Sequence, residues 1–487
     1  MPLASSNSIN KYPVSSTKFS TLRITKLAAT AFIANLLLNA VASANVTATA
    51  NLADGSRSVQ FSEWLKDNPD IARQRSAGAV PESEIRQALA SAMQEAIQRS
   101  PQLRQSQAEQ KAAQADIRAA KGERWPQIDL GANTRPHTMG NDNGLNTGSQ
   151  AVNLNITTNV FDWGRTRNTI SSREASSQAA DEQYLLSVET LAESVTLGLV
   201  ELEKNRRIAG VSQQYVDRMR ALVDMLSEIV AVDRGRASEL TQARARLLEA
   251  QNNLDGTSAR LRDSEIKLRK LIGDASVKLP DNDRWALTTS NLEQLVSASH
   301  DHPAVRQADA TATAAERYAQ SLRAGEKPQL NWVVNKSTSR DELGREQGWQ
   351  TMMSVSWPLF RGGSARAARE AAYARAEAER ERKSQQQLDL EFSIRGSEQD
   401  ARTQLDRADA YQALTLETDS VRKAFFEQWY HLGRRTLLDV LIAESDHNNN
   451  RVNEVASRFD GYQSILRSYA SAGVLNQWLQ GATSSSR

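Results

Sequence analysis

The two halves of this chain carry the same landmarks in the same order, and that duplication limits the folds open to it. Ser100-Pro101-Gln102-Leu103-Arg104-Gln105 returns as His302-Pro303-Ala304-Val305-Arg306-Gln307, 202 residues later. Pro126-Gln127-Ile128 returns at the same interval as Pro328-Gln329-Leu330. Phe161 and Gly164 match Phe360 and Gly363 at 199 residues, and Gly235 and Leu240 match Gly433 and Leu438 at 198. A unit of roughly 200 residues is too long for a solenoid repeat. The chain is a duplicated half-protein, so reading one half reads both.

Proline placement divides each half. None lies between Pro136 and Pro280, and none after Pro358. These tracts are rich in Ala, Glu, Gln, Arg and Leu, whose helix propensities add over long windows. Each half therefore predicts a medium helix, two short strands, a very long helix, a turn and another medium helix. The helices are expected at about 84–121, 164–231 and 237–272, then at 291–325, 363–430 and 437–477. A 68-residue helix is about 100 Å long at 1.5 Å per residue, and the two medium helices of a half, end to end, match it. Long helices beside stacked pairs of shorter ones are the expected packing.

Leu240, Leu247, Leu254, Leu261 and Leu268 recur every seven residues, with Ala243, Ala250, Thr257, Ser264 and Leu271 three further on. That period means coiled-coil packing. The second half carries it more weakly, through Leu438, Ser445, Val452, Phe459 and Leu466. Periodicity alone fits a helical tube and an ordinary coiled coil equally.

The strands alternate with period two. Val152, Leu154, Ile156, Thr158 and Val160 interleave with Asn153, Asn155, Thr157 and Asn159, and Trp349, Thr351, Met353, Val355, Trp357 and Leu359 interleave with Gln350, Met352, Ser354 and Ser356. Ile128, Leu130 and Ala132 form the partner of the first, and Leu330, Trp332 and Val334 that of the second. Strands are expected at about 126–134, 151–161, 328–336 and 349–360. An apolar face on strands of about ten residues is the pattern of a membrane barrel, with tryptophans for its interfacial girdles. A soluble sheet with one face on the helices is the alternative. Gly140–Gly144 and Gly344–Gly348 read as solvated hairpin tips. A bilayer tolerates no open sheet edge and single-chain barrels begin at about eight strands, so four strands call for other copies of the chain. Three copies supply twelve.

Ahead of the repeats, Lys18, Arg23 and Lys26 precede an apolar stretch from Leu27 to Val41 and then Ala42-Ser43-Ala44. This is the pattern of an export signal with cleavage before Asn45. An N-terminal anchor is the alternative, but the stretch is too short to span and Asn35 and Asn39 interrupt it. Losing residues 1–44 removes four basic residues and no acid, taking the formal charge from +2 to −2. A near-neutral chain carries no nucleic-acid signature. The absence of cysteine excludes a disulfide framework, thiol catalysis and a lipidated N-terminal cysteine. The expected organisation is a signal peptide over 1–44, an extension over 45–83, repeats over 84–280 and 281–480, and a tail over 481–487.

In this setting the chain resembles the TolC-like outer-membrane efflux channels over about residues 84–480. The most specific match is Tyr430-His431-Leu432-Gly433-Arg434-Arg435-Thr436-Leu437-Leu438-Asp439-Val440-Leu441, which is similar to that family's turn at the periplasmic tip of the second helical hairpin. The resemblance implies a homotrimer with a twelve-stranded barrel in outer-membrane lipid, continued by an α-helical tunnel across the periplasm. It further implies an iris-like gate in which Tyr430 and Arg435 form locking bonds and Asp439 belongs to an acidic ring. Gly235 and Gly433 would make the two tip turns, where a periplasmic adaptor docks. The family's second acidic ring position falls on Ile442 here. Its first-hairpin acidic partner falls on Thr241, with Glu239 nearby. Arg435 and Asp439 also read as a solvated i,i+4 pair. Val160-Phe161-Asp162-Trp163-Gly164 and Leu359-Phe360-Arg361-Gly362-Gly363 match the family's junctions between barrel and tunnel.

Signals for chemistry are poor. His300-Asp301-His302 is the one close histidine pair, and beside Pro303 it reads better as helix capping than as a metal site. No metalloprotease, nucleophile-elbow, P-loop or dinucleotide motif occurs. No enzyme activity, cofactor or metal is expected, and energy has to come from an inner-membrane transporter, with an ABC type implied by the resemblance. The function expected is a gated exit duct for type I protein secretion. Small-molecule efflux and a non-channel periplasmic coiled-coil scaffold are the alternatives.

Overall fold

The computed structural model describes residues 78–133, 151–274, 277–338 and 345–481, all within one compact unit. The expected signal peptide, the extension before Gly78 and the first hairpin tip lie outside the described residues, as do Gly344 of the second tip and 482–487 of the tail.

The elements, in chain order, are α1 (Glu82–Arg99), α2 (Pro101–Gly122), β1 (Gln127–Asn133), β2 (Ala151–Phe161), α3 (Arg165–Val232), α4 (Ala237–Ile272), α5 (Leu292–Ser299), α6 (Pro303–Gly325), β3 (Gln329–Ser337), β4 (Gln350–Ser356), α7 (Ser364–Tyr430), α8 (Leu437–Ser471) and α9 (Leu475–Leu479). The two long helices have 68 and 67 residues. On one flank α3 packs α2 and α4, on the other α6 and α8, and α7 packs against α6 and α8. Long helices thus lie beside stacked shorter ones, and among the described residues α7 has no long helical neighbour besides α6 and α8.

Three medium helices expected as single rods are each divided. The helix over 84–121 breaks at Ser100, whose hydroxyl accepts from Leu103 N at 3.3 Å. Pro101, lacking an N–H, then takes the first position of α2. The one over 291–325 breaks before Pro303, where His302 Nδ1 accepts from Ala304 N at 3.0 Å and Nε2–H faces Ala470 O at 3.3 Å. His302 is thus a buried cap. The one over 437–477 ends at Ser471, because Gly473 turns against His302, where a Cβ would meet Cδ2 at 2.8 Å. The extension is also shorter than expected. Val80 already pairs with the 284–286 segment, donating to Arg284 O and accepting from Ala286 N, both at 2.9 Å.

The heptad of α4 does pack against α3. Its small positions, Ala243, Ala250, Thr257 and Ser264, are buried more deeply than Leu247, Leu254 and Leu261, so the two backbones approach closely. In α8 the expected heptad holds at its far end, where Phe459 and Leu466 are fully buried, but not at its start: Leu438 is 48% exposed, and the buried line there runs through Leu437, Val440, Leu441 and Glu444. Thr436 caps α8 and so fixes Leu437 on the inner face.

The strands form one antiparallel sheet in the order β1-β2-β3-β4. Its register aligns Leu130 with Leu154, Ile156 with Ile128 and Val334, and Trp332 with Thr158 and Met353. The opposite face aligns Asp129, Asn155, Asn335 and Gln350 across all four strands. β4 is shorter than expected because it ends before Trp357-Pro358, where proline has no ladder donor to give. Trp349 and Trp357 therefore flank the strand. No helix packs across the sheet among the described residues. The apolar face stands open, with Ile128 66%, Leu130 74% and Val355 67% exposed, which removes the soluble-sheet alternative.

One core gathers where the short helices meet the long ones, from Ile85, Leu89, Leu199, Ile394, Phe459 and Leu466. Trp285 stacks on Tyr462 at 4.8 Å there. Beside it, the buried Glu189 carboxylate accepts from Leu475 N at 2.6 Å and Asn476 N at 3.2 Å. Burial pushes its pKa up to about 7, against the pull of those N–H groups and with help from Glu193. A raised carboxylate pKa contributes stability that is complete below the ordinary range and is lost as pH rises through about 7. His302 runs the other way: burial lowers its pKa, so its contribution is present above the ordinary value and is lost as pH falls through the depressed one. Glu189→Gln keeps the acceptor without the charge. It should melt a few degrees above the parent at pH 8 and lose that advantage by pH 5, as read by circular dichroism in detergent.

Candidate functional site: junctions and tips

Two sets of turns bound the long helices, one beside the sheet and one at the far end. At the first junction Asp162 organises the chain. Its Oδ1 accepts from Gly164 N at 3.0 Å, and its Oδ2 from Thr166 N at 2.7 Å and Asn159 Nδ2 at 3.1 Å. Trp163 donates from Nε1 to Pro328 O at 2.8 Å and meets Phe161 edge-on at 5.0 Å. The second junction has no such brace. Gly362 and Gly363 carry it, Ser364 closes on Arg361 O, and Phe360 projects into solvent. Gly164 and Gly363 both precede their long helix at φ near +80°, a conformation that a Cβ disfavours.

At the far end the two turns differ. The first is a short 3₁₀ turn, Arg234–Arg236, in which Asp233 Oδ1 accepts from Gly235 N at 2.9 Å. Gly235 has no positive φ, so glycine is not demanded there; a Cβ would sit 3.1 Å from the Asp233 carboxylate. In the second turn Gly433 has φ +60°, and the amide of Arg434 returns to Gln428 O at 3.0 Å, closing the end of α7.

The residues expected to form the gate have the following partners within the protomer. Tyr430 stacks on Phe426 with ring centroids 5.8 Å apart and meets His431 edge-on. Arg435 donates to Gln428 Oε1 at 3.2 Å and lies 4.2 Å above the Phe425 ring. Asp439 completes a capping box with Thr436, accepting from its N–H at 3.1 Å and its hydroxyl at 3.0 Å. Those bonds hold its carboxyl below the usual range. Arg435 precedes the helix, and the i,i+4 ion pair with Asp439 does not form. Glu239 Oε2 takes Arg236 at 2.7 Å, and Thr241 bonds back to Ala237 O within its own helix. Neither reaches Tyr430 or Arg435.

One contact that joins the hairpins at the tip lies outside the expected residues. Phe425, Phe426, Trp429 and Tyr430 crowd the last two turns of α7, and three guanidiniums lie over three of the rings. Arg435 covers Phe425, Arg218 of α3 covers Phe426 at 5.2 Å, and Arg236 of the first turn covers Trp429 at 5.1 Å. Trp429, 3% exposed, anchors α7 in a second core with Val216, Met219, Leu222, Leu226 and Leu240. The density of aromatics over 425–430 is visible in the sequence; that Arg218 reaches them is not.

The sequence matches the family described as Outer membrane efflux protein over residues 92–274 and 295–474, one match per half and each containing a tip turn. The chain belongs to that family. It is 22% identical over 407 residues to outer membrane protein TolC of Escherichia coli (strain K12), covering 79% of this chain and 82% of that one. The fold is shared with the outer membrane protein VceC of Vibrio cholerae, at TM-score 0.69 and 19% identity over 79% of this chain and 96% of that one. CusC is a further match, at TM-score 0.71 and 15% identity over 79% of this chain and 91% of that one. As an outer membrane efflux protein, the chain is a transport duct of the outer membrane, mainly helical with strands for a membrane barrel, and the family is not one of enzymes.

The tip turns yield a test. Gly433→Ala should cost about 1–2 kcal/mol of local stability, the scale for an L-residue in the left-handed region. Gly235→Ala should cost less, since only a side-chain oxygen has to move. Hydrogen exchange across the two turns separates them.

Proposed function

We propose that the protein is the exit duct of a tripartite export system, a homotrimer opened at its tip by a periplasmic adaptor and an inner-membrane transporter. The sheet carries the reading. Among the described residues its edges β1 and β4 are unpaired within the protomer and its apolar face is bare. Unpaired edges are not stable in hydrocarbon, and three copies give a closed barrel of twelve strands. Exposed apolar side chains of α7 add support: Leu388, Phe392, Leu414 and Leu416 are open to solvent in the protomer, Phe392 by 72%. A neighbouring copy's helices would cover them.

In this reading the far end is the gate. Tyr430, Arg435 and Asp439 on the second hairpin face Glu239 and Thr241 of the first hairpin of a neighbouring copy, and adaptor helices dock around Gly235 and Gly433. The long helices carry the duct across the periplasm, and the polar Asn-rich face of the sheet lines its mouth. Arg435, whose partners among the described residues of its protomer are Gln428 and the Phe425 ring, is placed to reach across a subunit boundary. The partner is an ABC transporter and the cargo a polypeptide, in keeping with the resemblance of the second tip turn and a chain without a cysteine to lipidate. Deleting the gene should remove a secreted polypeptide from the medium and leave drug susceptibility unchanged. The reverse outcome assigns small-molecule efflux.

The protein extracted from outer membranes in detergent should have the mass of a trimer by light scattering corrected for bound detergent. In planar bilayers it should conduct weakly, and Arg435→Ser should raise the conductance several-fold. A monomer soluble without detergent would overturn the duct.

A further inference from the structure

Above the tip, the seam between α3 of the first hairpin and α8 of the second is bridged by polar rungs. Lys204 reaches Asp460 at 3.0 Å, Glu201 takes Gln463 at 2.9 Å, Arg451 reaches Gln214 at 2.6 Å and Arg218 reaches Glu444 at 2.9 Å. Glu444 is the rung nearest the tip, about 10 Å up α8 from its first residue. It also differs in burial. The acidic side chains of the upper rungs, Glu201 and Asp460, are about two-fifths exposed, whereas Glu444 is 3% exposed.

A buried carboxylate left without a partner is strongly unfavourable. Glu444 has two partners, on different bodies. Arg218 belongs to the first hairpin; Arg422, 3.4 Å from the same oxygen, belongs to α7 of the second and is itself held by Asp419 at 2.5 Å. When the hairpins separate, Arg218 departs with α3, and Glu444 and Arg422 move together. Arg218, more than a third exposed already, goes to water at little cost.

We infer that Glu444 is a positioning residue of the opening step, holding α8 to α3 through Arg218 in the packed arrangement and transferring wholly to Arg422 on separation. This rests on the duct reading above. It gives the two arginines opposite roles. Arg218 stabilises the packed state. Arg422 stabilises the separated state, because it keeps the carboxylate partnered there. A purely structural cluster would give both losses the same sign.

The test uses the full-length protein in planar bilayers, with Arg435→Ser as a reference for opening at the tip and trimer mass confirmed for each variant. Arg218→Gln and Glu444→Gln should each raise the open fraction about ten-fold or more, the scale of one lost charge-assisted hydrogen bond. Their combination should fall well short of additive. Arg422→Gln should lower the open fraction, and Arg218→Lys should stay near the parent. If Arg422→Gln opens the duct as Arg218→Gln does, or if Arg218→Gln and Glu444→Gln match the parent while Arg435→Ser opens, the inference is overturned and the duct stands. If no variant conducts and the mass is not that of a trimer, the duct reading falls and takes the inference with it.

Discussion

A β-strand edge in hydrocarbon has nowhere to place its N–H and C=O groups, and this chain presents two such edges on one four-stranded sheet. The rest of the architecture is arranged around that deficit. The sheet's two faces differ as the two sides of a barrel wall must: aliphatic and aromatic residues align on one, and Asp129, Asn155, Asn335 and Gln350 align in a row on the other. Among the described residues neither face is covered by a helix of its own protomer. The protomer is therefore an incomplete object, and its incompleteness is the strongest statement it makes about how it works.

The same logic extends along the helices. A 68-residue rod cannot be stabilised by its own propensity alone; it needs an apolar stripe buried along its length. The duplication supplies one by laying two shorter helices end to end beside each long one. The join in each pair is where the chain detours to form the collar core of Trp285, Phe459 and Tyr462. Small residues at the α3–α4 seam draw the backbones together, while Glu189 and His302 tie down the starts of α9 and α6 at the collar with opposite responses to pH. The collar is thus the most cross-linked region of the protomer, and the tip, reached by two hairpins alone, is the least.

Much of this was legible in the sequence because it is periodic. The long helices lie within a residue or two of where proline spacing puts them, and the strand faces follow directly from alternation. The breaks at Ser100 and before Pro303 were written in the residues as well, since a cap followed by proline starts a helix; the composition on either side disguised them. The register of α8 was not legible from Leu438, because Thr436 and Asp439 set the helix start and so decide which leucine turns inward. At the tip the family-like turn was found, but its residues proved to be engaged within their own hairpin. The contact between hairpins was missed because it joins residues more than 190 positions apart, and only the superposition of two helical hairpins brings Arg218 and Arg236 over Phe426 and Trp429.

The chemistry of that contact suits a boundary that parts, as the duct proposed above requires. An exposed guanidinium over a ring is worth about 0.5–1 kcal/mol, against several for a severed buried ion pair. Arg218 and Arg236 each have water available when they leave their ring, whereas Trp429, the one deeply buried aromatic of the cluster, shares its apolar core with α3 and α4 of the first hairpin as well as α8 of its own. Strong, buried ion pairs are present in the molecule, but they fall within one hairpin, as with Arg458 and Asp409 between α7 and α8. Glu444 is the exception that spans the seam, and it has a second arginine on its own side. Buried ion pairs are thus concentrated within each hairpin, while the seam between the hairpins combines a shared apolar core with weaker cation–π contacts.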